Sequence, residues 1–423
     1  MDEQNPFLRG VIVLDGNRID FVGEQAPEPR EAYKEIISGK GKLWMPGLVN
    51  THGHAAMSLL RGYGDDLALK VWLEEKMWPN EAKFTGEDVK WGTQLSILEM
   101  VKGGTTSFVD MYDHMDQVAQ AVESSGLRAC LTRGVIGNWC PEEVAQNKLK
   151  EAAEFARNWH GGAGGRITAM MSPHAPYTCS PGYVEQIVQV AHDLNLPLHT
   201  HMSETLQEVL ANEQEYGLRP VAHLEKHGLF SRPALVAHAV HLTDEEIAIL
   251  KKYDVRVSHN PGSNLKLASG VARVPDLLKA GVKVSLGTDG PASNNNLDMF
   301  EEMRLAALIH KGVSGDPVAV PAVEALKMGT VVGAQSIWLD DVGVLKSGMK
   351  ADLISLDVEQ AHFYPRTDYA SHVVYSASAK DVADVCVDGK WLVRGGECLT
   401  IDEERVRYEA QRCFERITGS AGV

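Results

Sequence analysis

Between about residues 46 and 345, short apolar runs rich in β-branched residues alternate with amphipathic stretches of helical period. That alternation predicts repeated β-α units around a parallel sheet. The runs include Thr105-Thr106-Ser107-Phe108-Val109-Asp110, Ile167-Thr168-Ala169-Met170-Met171 ahead of Ser172-Pro173-His174, and Leu196-Pro197-Leu198-His199-Thr200-His201 ahead of Met202-Ser203-Glu204. Ala234-Leu235-Val236-Ala237-His238, Val255-Arg256-Val257-Ser258-His259-Asn260 and Val282-Lys283-Val284-Ser285-Leu286-Gly287-Thr288-Asp289 follow. Each ends in a residue able to bind a metal or move a proton. In a β/α barrel every strand C-terminus opens on one face, so residues far apart in sequence meet there.

Outside this region the pattern changes. Residues 11–23 read as a hairpin around Asp15-Gly16-Asn17, and residues 351–357, 382–387 and 390–393 read as strands. Strands at both termini predict one small β lobe built from the two ends. The expected fold is α/β: a (β/α)8 TIM-type barrel over residues 46–345, with a small β-sandwich lobe from residues 1–45 and 346–400. Residues 401–423 are expected to form a C-terminal helix. Residues 116–125 read as helical with a stop at Gly126. The glycine cluster at 161–165 has the spacing of neither a P-loop nor a dinucleotide fingerprint.

A chain of 423 residues suits one large barrel with an accessory lobe, or two domains. The formal charge of −16 argues against a nucleic-acid surface, where a basic stripe is expected. Six scattered cysteines without a Cys-x-x-Cys motif read as reduced thiols. The start of the chain lacks the basic-then-apolar pattern of a signal peptide, and no apolar run is long enough to span a bilayer. The expected location is the cytoplasm, and the expected partner a small molecule rather than nucleic acid or membrane; a homo-oligomer is left open.

The candidate chemistry centres on an apolar run ending in His52-Gly53-His54. Along an extended chain, side chains at i and i+2 point to one face, so both imidazoles converge, with Gly53 allowing close approach. Two imidazoles so placed can hold a divalent cation, most often zinc in hydrolytic enzymes, and a catalytic zinc needs about three or four protein ligands. His199 or His201, sharing a strand face, supplies the third; His201 is favoured because His201-x-x-Glu204 brings a carboxylate just past the strand end. Asp289, at the tip of an apolar run, is the fourth candidate, its alternative being an ordinary Asp-Gly turn. His238 would project at the same rim as an acid-base group. His259 is a supporting candidate; His223, His227 and His241 read as packing or surface residues.

Four motifs, Pro46-Gly47-Leu48-Val49-Asn50-Thr51-His52-Gly53-His54, His201-Met202-Ser203-Glu204, Val236-Ala237-His238-Ala239-Val240-His241 and Gly287-Thr288-Asp289-Gly290-Pro291-Ala292-Ser293-Asn294, occur in the order seen in the amidohydrolase superfamily. The resemblance covers nearly the whole chain. Trp78-Pro79-Asn80-Glu81, Ser172-Pro173-His174-Ala175-Pro176-Tyr177 and the stretch Ser258 to Leu267 make it most similar to the 5′-methylthioadenosine/S-adenosylhomocysteine deaminases. Guanine deaminases and triazine hydrolases share much of this frame.

The resemblance implies one divalent metal, zinc first and iron or manganese as alternatives, held by His52, His54, His201 and Asp289. It implies that Glu204 and His238 act as the acid-base pair, with Asp289 also accepting a proton as ammonia departs. Glu81, His174, Arg133 and Glu204 would contact the nucleoside. The implied reaction is hydrolytic deamination of an adenosine-type nucleoside to its inosine analogue. Two departures stand out. Family members usually begin with a further strand ahead of the segment matching Met1-Asp2-Glu3. Some also carry a second arginine, able to hold a substrate carboxylate, where this chain has Gly137-Asn138-Trp139-Cys140-Pro141-Glu142-Glu143.

Overall fold

The computed structural model describes residues 7–420; Met1-Asp2-Glu3, where the resemblance expects a preceding strand, lies outside them. The first strands, β1 (Val11–Asp15) and β2 (Arg18–Gly23), pair antiparallel around Gly16-Asn17. β3 (Lys42–Pro46) joins the far end of the chain, whereas β4 (Leu48–Asn50), one residue later, opens the barrel. Then come β5 (Thr105–Tyr112), β6 (Arg128–Val135), β7 (Ile167–Ala169) and the short β8 (Ser172–Pro173). β9 (Leu198–Met202), β10 (Ala234–His238), β11 (Arg256–His259) and β12 (Val284–Leu286) complete the parallel strands. β13 (Leu353–Asp357), β14 (Val382–Val387), β15 (Lys390–Arg394) and β16 (Glu397–Cys398) follow.

The parallel strands form two arcs, β4-β5-β6-β7 with β8 on β6, and β9-β10-β11-β12. Two seams close them into the barrel. Met171 bridges Leu198, and the His201 amide donates to His174 O at 3.0 Å. On the other side the Thr51 amide donates to Leu286 O at 2.9 Å and the Asp289 amide to His52 O at 3.0 Å. The five-stranded antiparallel sheet β16-β15-β14-β13-β3 is built from both ends of the chain, and the β1-β2 hairpin packs on it through Ile19, Ala351, Leu353 and Cys386. Because β3 runs into β4 across one residue, the lobe fixes where the barrel strand leading to His52 begins.

Helices cover the outer face of the barrel for the reason their sequences suggest. Helix Met115–Ser125 buries Val118, Ala119 and Val122, spaced as one helical face, against the sheet. It ends at Gly126, whose φ of 88° suits a residue without a Cβ. Helix Gly86–Lys102 starts on a Thr85–Asp88 capping box. Helix Glu403–Thr418 lays Val406, Ala410, Cys413 and Ile417 over Leu60 and Trp91, covering the segment just after His54. All six cysteines are free thiols. Among the described residues no helix is long and apolar enough to cross a membrane.

Candidate active site

The C-terminal ends of the barrel strands gather the chemistry. His52 and His54 lie just past β4, where the chain is pinned on both sides by Met111 N donating to Gly53 O and Asp289 N donating to His52 O, each at 3.0 Å. Their rings are 4.9 Å apart. Gly53 is under no strict steric demand: a Cβ there would meet Val109 O at 3.4 Å and Asp289 O at 3.7 Å, ordinary contacts. His201 sits in β9 with its ring 4.8 Å from His52 and 5.3 Å from His54. Asp289 Oδ1 lies 3.3 Å from His52 Nε2 and 3.2 Å from His54 Nε2.

Hydrogen bonds behind these rings decide which nitrogen faces inward. His54 Nδ1 donates to Met111 O at 2.6 Å and His201 Nδ1 to His174 O at 2.6 Å. His199 Nδ1 donates to Leu235 O at 2.8 Å, leaving its Nε2 to accept from His52 Nδ1 at 2.9 Å. His199 therefore stands behind His52, and His201 is the histidine of that pair in the cluster. In all three inner imidazoles it is Nε2 that is left facing the site. Ser263 Oγ and Ser293 Oγ both donate to Asp289 Oδ2, at 2.6 and 2.8 Å, so Oδ1 is the oxygen turned to the histidines.

Lone pairs of imidazoles and a carboxylate that converge without a cation repel one another. His52 Nε2 is buried and has no hydrogen-bond partner. Burial lowers the His52 and His201 pKa values well below the ordinary range. For His54 burial opposes the charge, but the hydrogen bond and charge of Asp289 prevail and raise it to about 9. Burial likewise opposes ionisation of Asp289, yet His52 and His54 hold its carboxyl well below the usual range. The ligating atoms of His52, His54 and Asp289 lie within 4.8 Å of one another, as do those of His52, His201 and His238. Nitrogen and oxygen donors at this spacing fit a divalent metal ion.

Beside this cluster, His238 Nε2 lies 3.8 Å from Glu204 Oε2. His238 Nδ1 donates to Asn264 Oδ1 at 2.8 Å, which aims Nε2 at Glu204. Ser269 Oγ donates to the other Glu204 oxygen at 3.3 Å, and Glu208 accepts the backbone amides of Ser203 and Glu204 at 2.9 and 2.8 Å. Burial raises the Glu204 carboxyl despite the opposing charge of His238. For His238 burial is outweighed by Glu204 and Asp289, and its pKa rises. Ser203, His238 and Asp289 all carry left-handed backbone, with φ of 53°, 72° and 60°. Such conformations cost about 1–3 kcal/mol each in non-glycine residues and concentrate at functional sites.

The outer candidates divide. The His174 ring lies 4.6 Å from His201, and burial pulls its pKa down to about 3. Glu81 accepts from the Tyr112 hydroxyl, and its carboxyl is raised by burial against the opposing charge of nearby His54. Arg133 is not brought to the histidine cluster. It shares the parity of Leu131, whose side chain packs in the core against the helices, and ion-pairs with Asp113 at 3.0 Å and Glu151 at 2.9 Å. His259 faces His310, with Nε2 atoms 3.3 Å apart. Ser263, Asn264 and Ser293 stand inside the motifs that carry the resemblance, yet the sequence assigns them no role; an Asn or Ser near a strand end carries no signal of its own, and only the fold brings them to His238 and Asp289.

Residues 43–392 match the model of the amidohydrolase family. The chain belongs to the amidohydrolase family. It is 53% identical over 386 residues to the 5-methylthioadenosine/S-adenosylhomocysteine deaminase of Dictyoglomus thermophilum, covering 91% of this chain and 90% of the relative. Among solved structures it is similar to a zinc-bound adenosine deaminase from Xanthomonas campestris, with a TM-score of 0.86, 36% identity, and coverage of 90% and 87% of the two chains. It is also similar to the zinc complex of an atrazine chlorohydrolase from Arthrobacter aurescens, with a TM-score of 0.88, 25% identity, and coverage of 95% and 94%. Membership accounts for the order of the motifs along the chain and for the barrel that unites them.

Proposed function

We propose that the chain catalyses hydrolytic deamination of adenosine-type nucleosides: 5′-methylthioadenosine, S-adenosylhomocysteine or adenosine. A C–O bond forms at the amino-bearing ring carbon, the exocyclic C–N bond breaks, and the products are the inosine analogue and ammonia. The observation that carries this reading is the Glu204–His238 pair, 3.8 Å apart, beside the converging donors. The names and identities of the relatives support it.

His52, His54, His201 and Asp289 would hold the metal, with zinc first because both structural neighbours contain it. When bound, the ion would supply Lewis-acid activation of water at neutral pH. The protein's own groups do the rest. Glu204, whose raised pKa favours holding a proton, delivers it to the ring nitrogen beside the reacting carbon and draws electron density from that carbon. His238, fixed through Nδ1 by Asn264, presents Nε2 to orient the attacking oxygen and stabilise its developing charge. Asp289 Oδ1 takes the proton of the added hydroxyl oxygen and passes it to the amino group, which departs as ammonia.

Glu81 and His174 are assigned to the nucleoside, Glu81 to the ribose hydroxyls. Arg133 is committed to Asp113 and Glu151, and Gly137 to Glu143 contains no arginine. On that side of the mouth Trp139, 70% exposed, faces Trp78 with ring centroids 5.8 Å apart. Two aromatic faces favour an apolar 5′ substituent, so methylthioadenosine is the preferred member of the class. The test incubates metal-assayed protein with methylthioadenosine, adenosine, S-adenosylhomocysteine and guanine, following adenine absorbance and ammonia. Turnover of methylthioadenosine above the others is expected; turnover of guanine alone would overturn the reading.

A further inference from the structure

Helix Met299–Ser314 packs against β4, β12 and the short helix Pro261–Lys266. It carries Glu302, which is completely buried. Glu302 Oε2 accepts the Gly262 amide at 3.1 Å, and Oε1 accepts Asn294 Nδ2 at 2.7 Å. Asn294 Nδ2 also donates to Thr288 O at 2.7 Å, which fixes the orientation of its amide. A Cβ on residue 262 would fall 2.5 Å from Glu302 Oε1, so the close approach requires the glycine.

The residues Glu302 grips are one step from those that matter. Gly262 precedes Ser263 and Asn294 follows Ser293, and both serine hydroxyls donate to Asp289 Oδ2. The same loop continues to Asn264, which holds His238, and to Ser269, which donates to Glu204. Burial pushes the Glu302 carboxyl up to about 8, against the two hydrogen bonds it accepts, and a buried polar group costs more than an apolar side chain of similar size. Two hydrogen bonds that tie two segments together give that carboxyl a task.

We propose that Glu302 is a positioning residue for the metal site: it clamps residues 261–269 to residues 290–294 so that two serines hold Asp289 Oδ2 and leave Oδ1 turned to the histidines. Each Glu302 oxygen accepts an N–H and keeps a lone pair whether or not the carboxyl carries a proton, so Glu302→Gln, nearly identical in volume, sets an amide N–H₂ against an N–H donor and loosens the clamp.

This inference rests on the metal reading of the site. The experiment loads wild type and E302Q with zinc and follows transfer of the ion to a chromogenic chelator, alongside kcat and KM. E302Q is expected to hold the ion about 10–100-fold less tightly, the usual scale for an outer partner of a metal ligand. Its kcat is expected to fall with KM little changed. In the S263A/S293A background E302Q is expected to cause no further loss, because it acts through those hydroxyls. Release at the wild-type rate, or a loss additive with the serine changes, overturns the proposal and leaves Glu302 a packing residue. If E302Q does not fold, Asn294→Ala takes its place: faster release supports the clamp, and wild-type release overturns it. A wild type that binds no divalent ion sinks the metal reading itself, an outcome distinct from these.

Discussion

Both ends of the barrel bury charge, and they treat it in opposite ways. At the N-terminal end Arg128, 3% exposed, forks onto Asp352 of the terminal lobe, with Nε to Oδ2 at 2.8 Å and Nη2 to Oδ1 at 3.1 Å. The Asp388 amide fills a further position on Asp352 at 2.8 Å, and Lys350 pairs with Asp388 at 3.1 Å. Guanidinium and ammonium there both meet carboxylates. At the C-terminal end three imidazoles and a carboxylate converge, His52 Nε2 has no hydrogen-bond partner, and left-handed backbone holds Ser203, His238 and Asp289. A saturated buried pair ties lobe to barrel; an unsaturated cluster is poised for an ion and a substrate.

Breaking each end should therefore have a different signature. The largest expected effect is at the rim: Glu204→Gln should lower kcat about 10²–10⁴-fold, the scale of a lost general acid, with metal content by elemental analysis unchanged. A variant that keeps full activity would remove Glu204 from the chemistry. At the other end Arg128→Ala leaves Asp352 buried and unpaired and should cost about 3–5 kcal/mol in denaturant unfolding. Turnover per folded molecule should stay at the wild-type level; a fall in turnover would mean the ends are coupled.

Two smaller effects sharpen the contrast. Asn264→Ala frees the His238 ring to turn and should reduce activity about 10–100-fold while leaving the melting temperature nearly unchanged. The last concerns pH. Burial, reinforced by the charge of Glu204 and opposed by two backbone amides, pushes the Glu208 carboxyl from 4.5 up to about 7. The folded chain thus holds a proton that the unfolded chain releases, so this group's contribution to stability declines as pH rises from 4.5 to 7 and is level above. Glu208→Gln should be less stable at low pH but lack that slope, as melting temperatures across the window would reveal. Parallel curves for the two proteins would contradict the shift.

Much of the barrel was legible because a strand's period and its terminal residue are both local. The runs ending at His201, His238 and Asp289 could be read as strand ends before any contact was known. The partners of Arg133 lie beyond that reading: Asp113 stands just past β5 and Glu151 on the covering helix, and neither is adjacent to it in sequence. His199 and His201 share one strand face, and in the sequence only Glu204, three residues on, favours His201; in the fold His52 Nδ1, donating to His199 Nε2, separates their roles.

The sequence by itself determined the alternation of strand and helix, the two-ended lobe, and the set of imidazoles and carboxylates offered to one face. These follow from periodicity and side-chain chemistry, which act over a few residues. Tertiary structure alone decided which atom of each group points inward. The Nδ1 protons are held by Met111, His174 and, through His199, Leu235, while Asp289 Oδ2 is held by Ser263 and Ser293. Hydrogen bonds are directional and these partners lie on other elements, so the orientation of the donors exists only once the barrel has closed.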